Sequence, residues 1–108
     1  MPNGNDRNWV RARGALEGFF LRFRRWPTHL RLNPSILEDL RGLFTEASLG
    51  MLQSKLVLIS DPHALIVAED DVGHSYDYRT EGFPSARPIP NAEEWLGVSP
   101  DTPYAHEG

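Results

Sequence analysis

Cysteine is absent from all 108 residues, which excludes disulfides and thiolate metal sites. Lysine is almost absent too, with Lys55 alone beside ten arginines. That bias fits the codon usage of a GC-rich bacterium or phage before it fits selection for guanidinium chemistry. No apolar run approaches the ~18–20 residues of a membrane-crossing helix. The opening MPNGNDRNWV lacks the short apolar core of a secretory signal. The triplet Asn33-Pro34-Ser35 is the one glycosylation frame, and proline occupies its forbidden middle position. A cytoplasmic protein is the simplest expectation. Phosphate loops, nucleophile elbows and helix-spaced histidine pairs are also missing, so neither a cofactor nor an enzymatic reaction is expected.

What is present is unevenly charged. The net charge is −4, yet residues 1–41 carry eight arginines against four carboxylates, and residues 42–108 carry three basic groups against eleven carboxylates. A basic region followed by an acidic one suits a polyanion, a protein partner, or pairing within the chain.

From about Asp6 to Trp26 the residues Trp9, Ala12, Leu16, Phe19, Phe20, Phe23 and Trp26 recur at helical steps, predicting an amphipathic helix. Asn5 or Asp6 would cap it, and Pro27 would stop it. Arg7, Arg11, Arg22 and Arg25 fall opposite the apolar stripe, giving a helix that is half core and half basic face. These four are the candidate polyanion-binding residues. The aromatic residues among them belong to the core stripe rather than to a base-stacking platform.

His29–Leu32 alternates as a short strand near a sheet edge. Asn33-Pro34 then opens a second helix with a good cap and a good first residue, burying Ile36, Leu37, Leu40, Leu43 and Phe44. Thr45 breaks or re-caps it, and Glu46–Gln53 continues helically. Lys55–Arg79 reads as three strands, Leu56–Ser60, Ala64–Glu69 and His74–Arg79, joined by Asp61-Pro62-His63 and Asp70–Gly73. This is an antiparallel meander, with the first strand parallel to Leu56–Ser60 through a helical crossover. The expected fold is therefore α+β: a two-layer sandwich of two main helices on one face of a small, mostly antiparallel sheet.

Residues 1–80 form the expected single domain and residues 81–108 a proline-rich tail, interrupted by a helical turn near 91–97. There Asn91 with Glu94 fits a capping box and Gly97 a C-terminal stop. The acidic–aromatic island Glu93, Glu94, Trp95 and Leu96 is the candidate partner-binding motif, or else it folds back on its own domain. Leu56–Ile59 and Leu65–Ala68 are apolar on both parities, so the second sheet face needs a cover. The tail from Phe83 to Leu96, or a second copy of the chain, would supply it.

Asp61 and His63 at one turn and Glu69, Asp70, Asp71 and His74 at the other are the catalytic suspects. A six-residue strand would hold the two turns roughly 20 Å apart, too far for one acid–base pair or metal site, and neither spacing matches a mechanism-bearing motif. The expected function is a small non-enzymatic protein–protein interaction protein, an adaptor, regulator or inhibitor, acting on a protein partner or on itself as a homodimer. Two alternatives are carried beside it: a nucleic-acid-binding accessory protein using the arginine face, and a hydrolase using the Asp70/Asp71/His74 turn.

Overall fold

The computed structural model describes residues 7–99, with elements in the order α1 (Asn8–Phe23), β1 (His29–Leu32), α2 (Pro34–Leu43), α3 (Glu46–Lys55), β2 (Val57–Ser60), β3 (Ile66–Glu69), β4 (Ser75–Asp77), α4 (Tyr78–Glu81) and α5 (Ala92–Leu96). The fold is α+β, with a four-stranded mixed sheet in the order β2-β1-β3-β4. Local chemistry sets the helix boundaries. The Asn33 side chain accepts from the Ser35 N–H at 3.1 Å with Pro34 in the first turn, and Thr45 accepts from the Ser48 N–H at 3.1 Å to restart the chain as α3. Asn91 accepts from the Glu93 and Glu94 N–H groups, and Gly97, at φ 77°, ends α5. Asn5 and Asp6, the expected caps of α1, lie outside the described residues. That helix ends at Phe23, four residues before Pro27, and the next residue, Arg24, takes the left-handed conformation and donates its N–H to the Phe20 carbonyl.

Strand order departs from the expected meander. The strands β2 and β3 are not neighbours, because β1 lies between them, parallel to β2 and antiparallel to β3. Thus β1 is a central strand rather than an edge strand. Its two leucines explain the choice: Leu30 and Leu32 are fully buried, and a central strand removes them from water better than an edge can. The Asp61-Pro62-His63 segment is accordingly a crossing over the end of β1 rather than a hairpin turn. It is stitched there by Asp61 N–H to Leu32 O (2.8 Å) and Asn33 N–H to Leu65 O (3.0 Å). The third strand is also shorter than expected, since Asp77 caps a helical turn at Tyr78–Glu81 instead of continuing extended.

Leu30, Leu32, Ile66, Ala68 and Tyr76 share the covered sheet face, on which Trp9, Ala12, Leu16 and Phe19 of α1 and Leu37 and Leu40 of α2 complete the core. The α1 helix is more deeply buried than a half-basic helix would be, with Gly14, Ala15, Glu17 and Gly18 also enclosed. The reason is the chain after Gly82. Over residues 83–99 it does not cross the second sheet face but packs around α1, placing Ala92, Leu96 and Val98 in the core. Phe83 lies against Gly14, and Trp95 stacks on Trp26 at 4.6 Å and 4° between planes. Flanking apolar groups of α1 and its exit, Phe20 and Trp26, themselves tilted together at 4.6 Å, offer the tail a better apolar seat than a short, partly charged sheet face. No helix among the described residues is long and apolar enough to cross a membrane.

Candidate interaction surface

With residues 83–99 on α1, the second sheet face stays open among the described residues. Its side chains follow from register. One row across the sheet reads Val57, His29, Glu69, Ser75, and the next reads Ile59, Arg31, Val67, Asp77. Val57 and Ile59 make the β2 end of this face apolar, Val67 adds an apolar group on β3, and Arg31, Glu69 and Asp77 carry its charges on β1, β3 and β4. Val57 is 53 % exposed, whereas Leu30 and Leu32 on the covered face are at 0 %.

The backbone of β2 is open as well. The Val57 N–H bonds to Thr28 O (2.9 Å) and the Asp61 N–H to Leu32 O (2.8 Å). Amides along a strand alternate sides, so those of Leu58 and Ser60, with their carbonyls, point away from the sheet. The opposite edge differs. β4 is three residues long, carries Asp77 and runs directly into α4, all features that discourage strand addition.

Arg31 organises the open face. It donates from Nε and NH2 to the two Glu69 oxygens at 3.1 and 3.2 Å, and from NH1 to Asp61 Oδ2 at 3.3 Å. The Asp61 carboxyl is held below the usual carboxylate range, first by the His63 N–H it accepts and then by Arg31 against the cost of burial. Asp61 and Glu69 were expected at opposite ends of a long strand. Strands of four residues and a guanidinium between them bring both within one residue's reach. Arg31 was absent from the candidate residues, although its alternation with Leu30 and Leu32 already assigned it to the face opposite the core.

The arginine face of α1 is largely engaged by the acidic half of the chain. Arg22 donates to Glu81 at 2.8 Å and lies over the Tyr76 ring at 5.0 Å. Arg25 donates to Asp70 and also contacts His74. Arg11 donates to Asn8 at 3.1 Å, and Arg7 is exposed at the helix start. Arg13, which flanks the face, pairs with Glu17 and Glu93. The charge asymmetry of the sequence is thus met in part by pairing within the chain.

Asp70, 2 % exposed at its side chain, is the knot of the β3–β4 connection. Desolvation pushes its carboxyl up. The His74 ring at 2.9 Å, the His74 and Val72 N–H groups, and Arg25 together overturn that and hold it far below the usual carboxylate range. The His74 contacts to Asp70 and Arg25 both fall on Nδ1, and its ring stacks on Phe23 at 4.4 Å. This is the bonding of a rigid hairpin, and no group of three or more His, Asp or Glu side chains among the described residues could hold a metal.

The Glu93–Leu96 island turns inward. Glu93 accepts from the Trp9 indole at 2.7 Å, Leu96 is 1 % exposed, and the Trp95 carbonyl accepts from Lys55. Ala92 donates its N–H to the buried Glu17 carboxylate at 3.0 Å. Of the four residues, Glu94 alone is exposed, beside a half-buried Trp95. No protein-family model, curated protein or solved structure matches this chain.

Proposed function

We propose that the chain is a non-enzymatic protein–protein interaction protein of the cytoplasm, an adaptor, regulator or inhibitor, that docks through the β2 edge and the adjoining open sheet face. The observation that carries this reading is the pairing of two features on one strand. The β2 strand offers backbone groups at Leu58 and Ser60 that have no partner among the described residues, and an apolar surface at Val57 and Ile59. Strand addition uses this combination: main-chain bonds give affinity, and alternate side chains give specificity. Arg31, held between Glu69 and Asp61, supplies a fixed polar rim beside it.

The test is a photo-crosslinking amino acid placed at Val57 and, separately, at Glu94. Protein adducts formed at Val57 and lost when I59K is added to the same chain, with an unchanged melting temperature, support docking at β2. Adducts confined to Glu94 move the interface to α5. Adducts to nucleic acid with none to protein overturn the reading in favour of polyanion binding.

A further inference from the structure

We propose that the occupant of the β2 edge is a second copy of this chain, joined antiparallel about a two-fold axis at Leu58 into a continuous eight-stranded sheet. The proposal rests on the docking reading above and names its partner.

The sequence of the strand and its flanks, Lys55-Leu56-Val57-Leu58-Ile59-Ser60-Asp61, is complementary to its own reverse. Laid antiparallel about Leu58, it sets Val57 against Ile59 of the other copy twice, Leu58 against Leu58, and Leu56 against Ser60. Lys55, which ends α3 just before the strand, brings its charge near Asp61 of the other copy, opposite charges at both ends of the seam. Lys55 is exposed, and its four-carbon stem lets the ammonium leave the Trp95 carbonyl for that carboxylate. Leu58 and Ser60, whose amides face outward, are hydrogen-bonding positions of such a register, while the Leu56 N–H opposite Ser60 stays bonded to Leu52 O at 3.0 Å. Moving the axis one residue to Ile59 would set Val57 against Asp61 and Leu56 against Pro62, an apolar–carboxylate clash and a missing donor. One register is therefore favoured over its neighbour by chemistry visible in the strand.

Edge strands of monomers are commonly guarded by an inward charge, a proline or a bulge. The β4 edge is short and carries a charge, whereas Val57–Ser60 has none of these guards. Two of the three apolar side chains of the open face, Val57 and Ile59, lie on β2, so the seam would join two small patches into one. Pairing four residues on each side buries less than the ~1,200 Å² of a standard interface, the size of weak, transient encounters.

Sedimentation velocity of the full chain, from about 10 μM to about 1 mM, tests this. The expected mass rises from 12.2 kDa toward twice that value across the range. V57K/I59K puts like charges opposite each other twice and should stay monomeric. V57K/I59E puts opposite charges across the same axis and should recover the association. Melting temperatures near the wild-type value at low concentration show that both variants fold. A constant monomer mass overturns the two-fold, and failure of V57K/I59E to outperform V57K/I59K overturns the register. A monomeric chain that still crosslinks a foreign protein at Val57 rejects the self-pairing and leaves the docking surface standing. Absence of both rejects the two together.

Discussion

Gly18→Ala is expected to destabilise the protein, although alanine is the better helix former. A Cβ on Gly18 would lie 2.3, 2.6 and 2.7 Å from three atoms of the Tyr76 ring, well inside any contact a real side chain makes. The ring cannot retreat at low cost. It is 5 % exposed, its hydroxyl donates to the Gly82 carbonyl at 2.8 Å, and Arg22 sits over it. Replacing glycine inside a helix gains about 1 kcal/mol. Overpacking a filled site costs about 1–3 kcal/mol, and dislodging the hydroxyl costs about 1 kcal/mol more. The balance is a net loss of roughly 1–3 kcal/mol, or a fall in Tm of roughly 5–15 °C for a domain of this size. Gly50→Ala is the control of opposite sign. It sits within α3 with nothing inside 4 Å of the added Cβ, so it should gain about 0.5–1 kcal/mol. Urea denaturation of the three proteins decides it. A G18A midpoint at or above wild type would mean that Tyr76 does not pack against α1, and the α1–β4 contact would have to be redrawn.

Leu40→Ala and Phe19→Ala should each cost about 2–5 kcal/mol, as deletions from a filled core do, and an unmoved midpoint in either would displace the core from its assigned face. Truncation after Gly82 removes the buried Ala92, Leu96 and Val98 and the Trp95 stack. It should cost several kcal/mol at about 1.5–3 kcal/mol per large side chain, seen as a lowered Tm or a loss of cooperative melting, whereas an equally stable truncated chain would free the tail. Asp70, with its folded-state pKa depressed, adds stability that is fully present above the unfolded carboxyl value near pH ~4 and is lost as pH falls through the lower folded value. The Tm difference between wild type and D70N should therefore be level above about pH 5 and shrink below about pH 4. A difference that grows on acidification would contradict the hydrogen-bonded carboxylate.

Short-range signals were decisive along the backbone. Asn33-Pro34, Thr45 and Asn91 with Gly97 marked helix ends because each satisfies orphaned amides or carbonyls within a few residues. The alternation of His29-Leu30-Arg31-Leu32 fixed which side chains face the core, and the three- and four-residue steps of Trp9 to Phe23 fixed α1. Those features depend on a residue and its near neighbours, so the sequence alone determined α1, α2, α3 and α5, the faces of β1 and the α+β class, though not the turn of helix at Tyr78–Glu81.

Which strands touch was settled elsewhere. The strands Val57–Ser60 and Ile66–Glu69 are adjacent in sequence, and the five-residue connection between them permits a hairpin as readily as a jump across β1. The burial of Leu30 and Leu32, a sum over contacts with α1, α2 and β3, decided for the jump. The tail was likewise free to cover either of two apolar surfaces. Gly14 gave Phe83 a place, Trp26 gave Trp95 a stacking partner, and Glu17 gave the Ala92 amide an acceptor, none of which is visible as a local pattern. The open face and β2 edge exist because the tail went to α1. Sequence determined what each segment could bury; only the tertiary structure, where segments compete for the same partners, decided what was left uncovered.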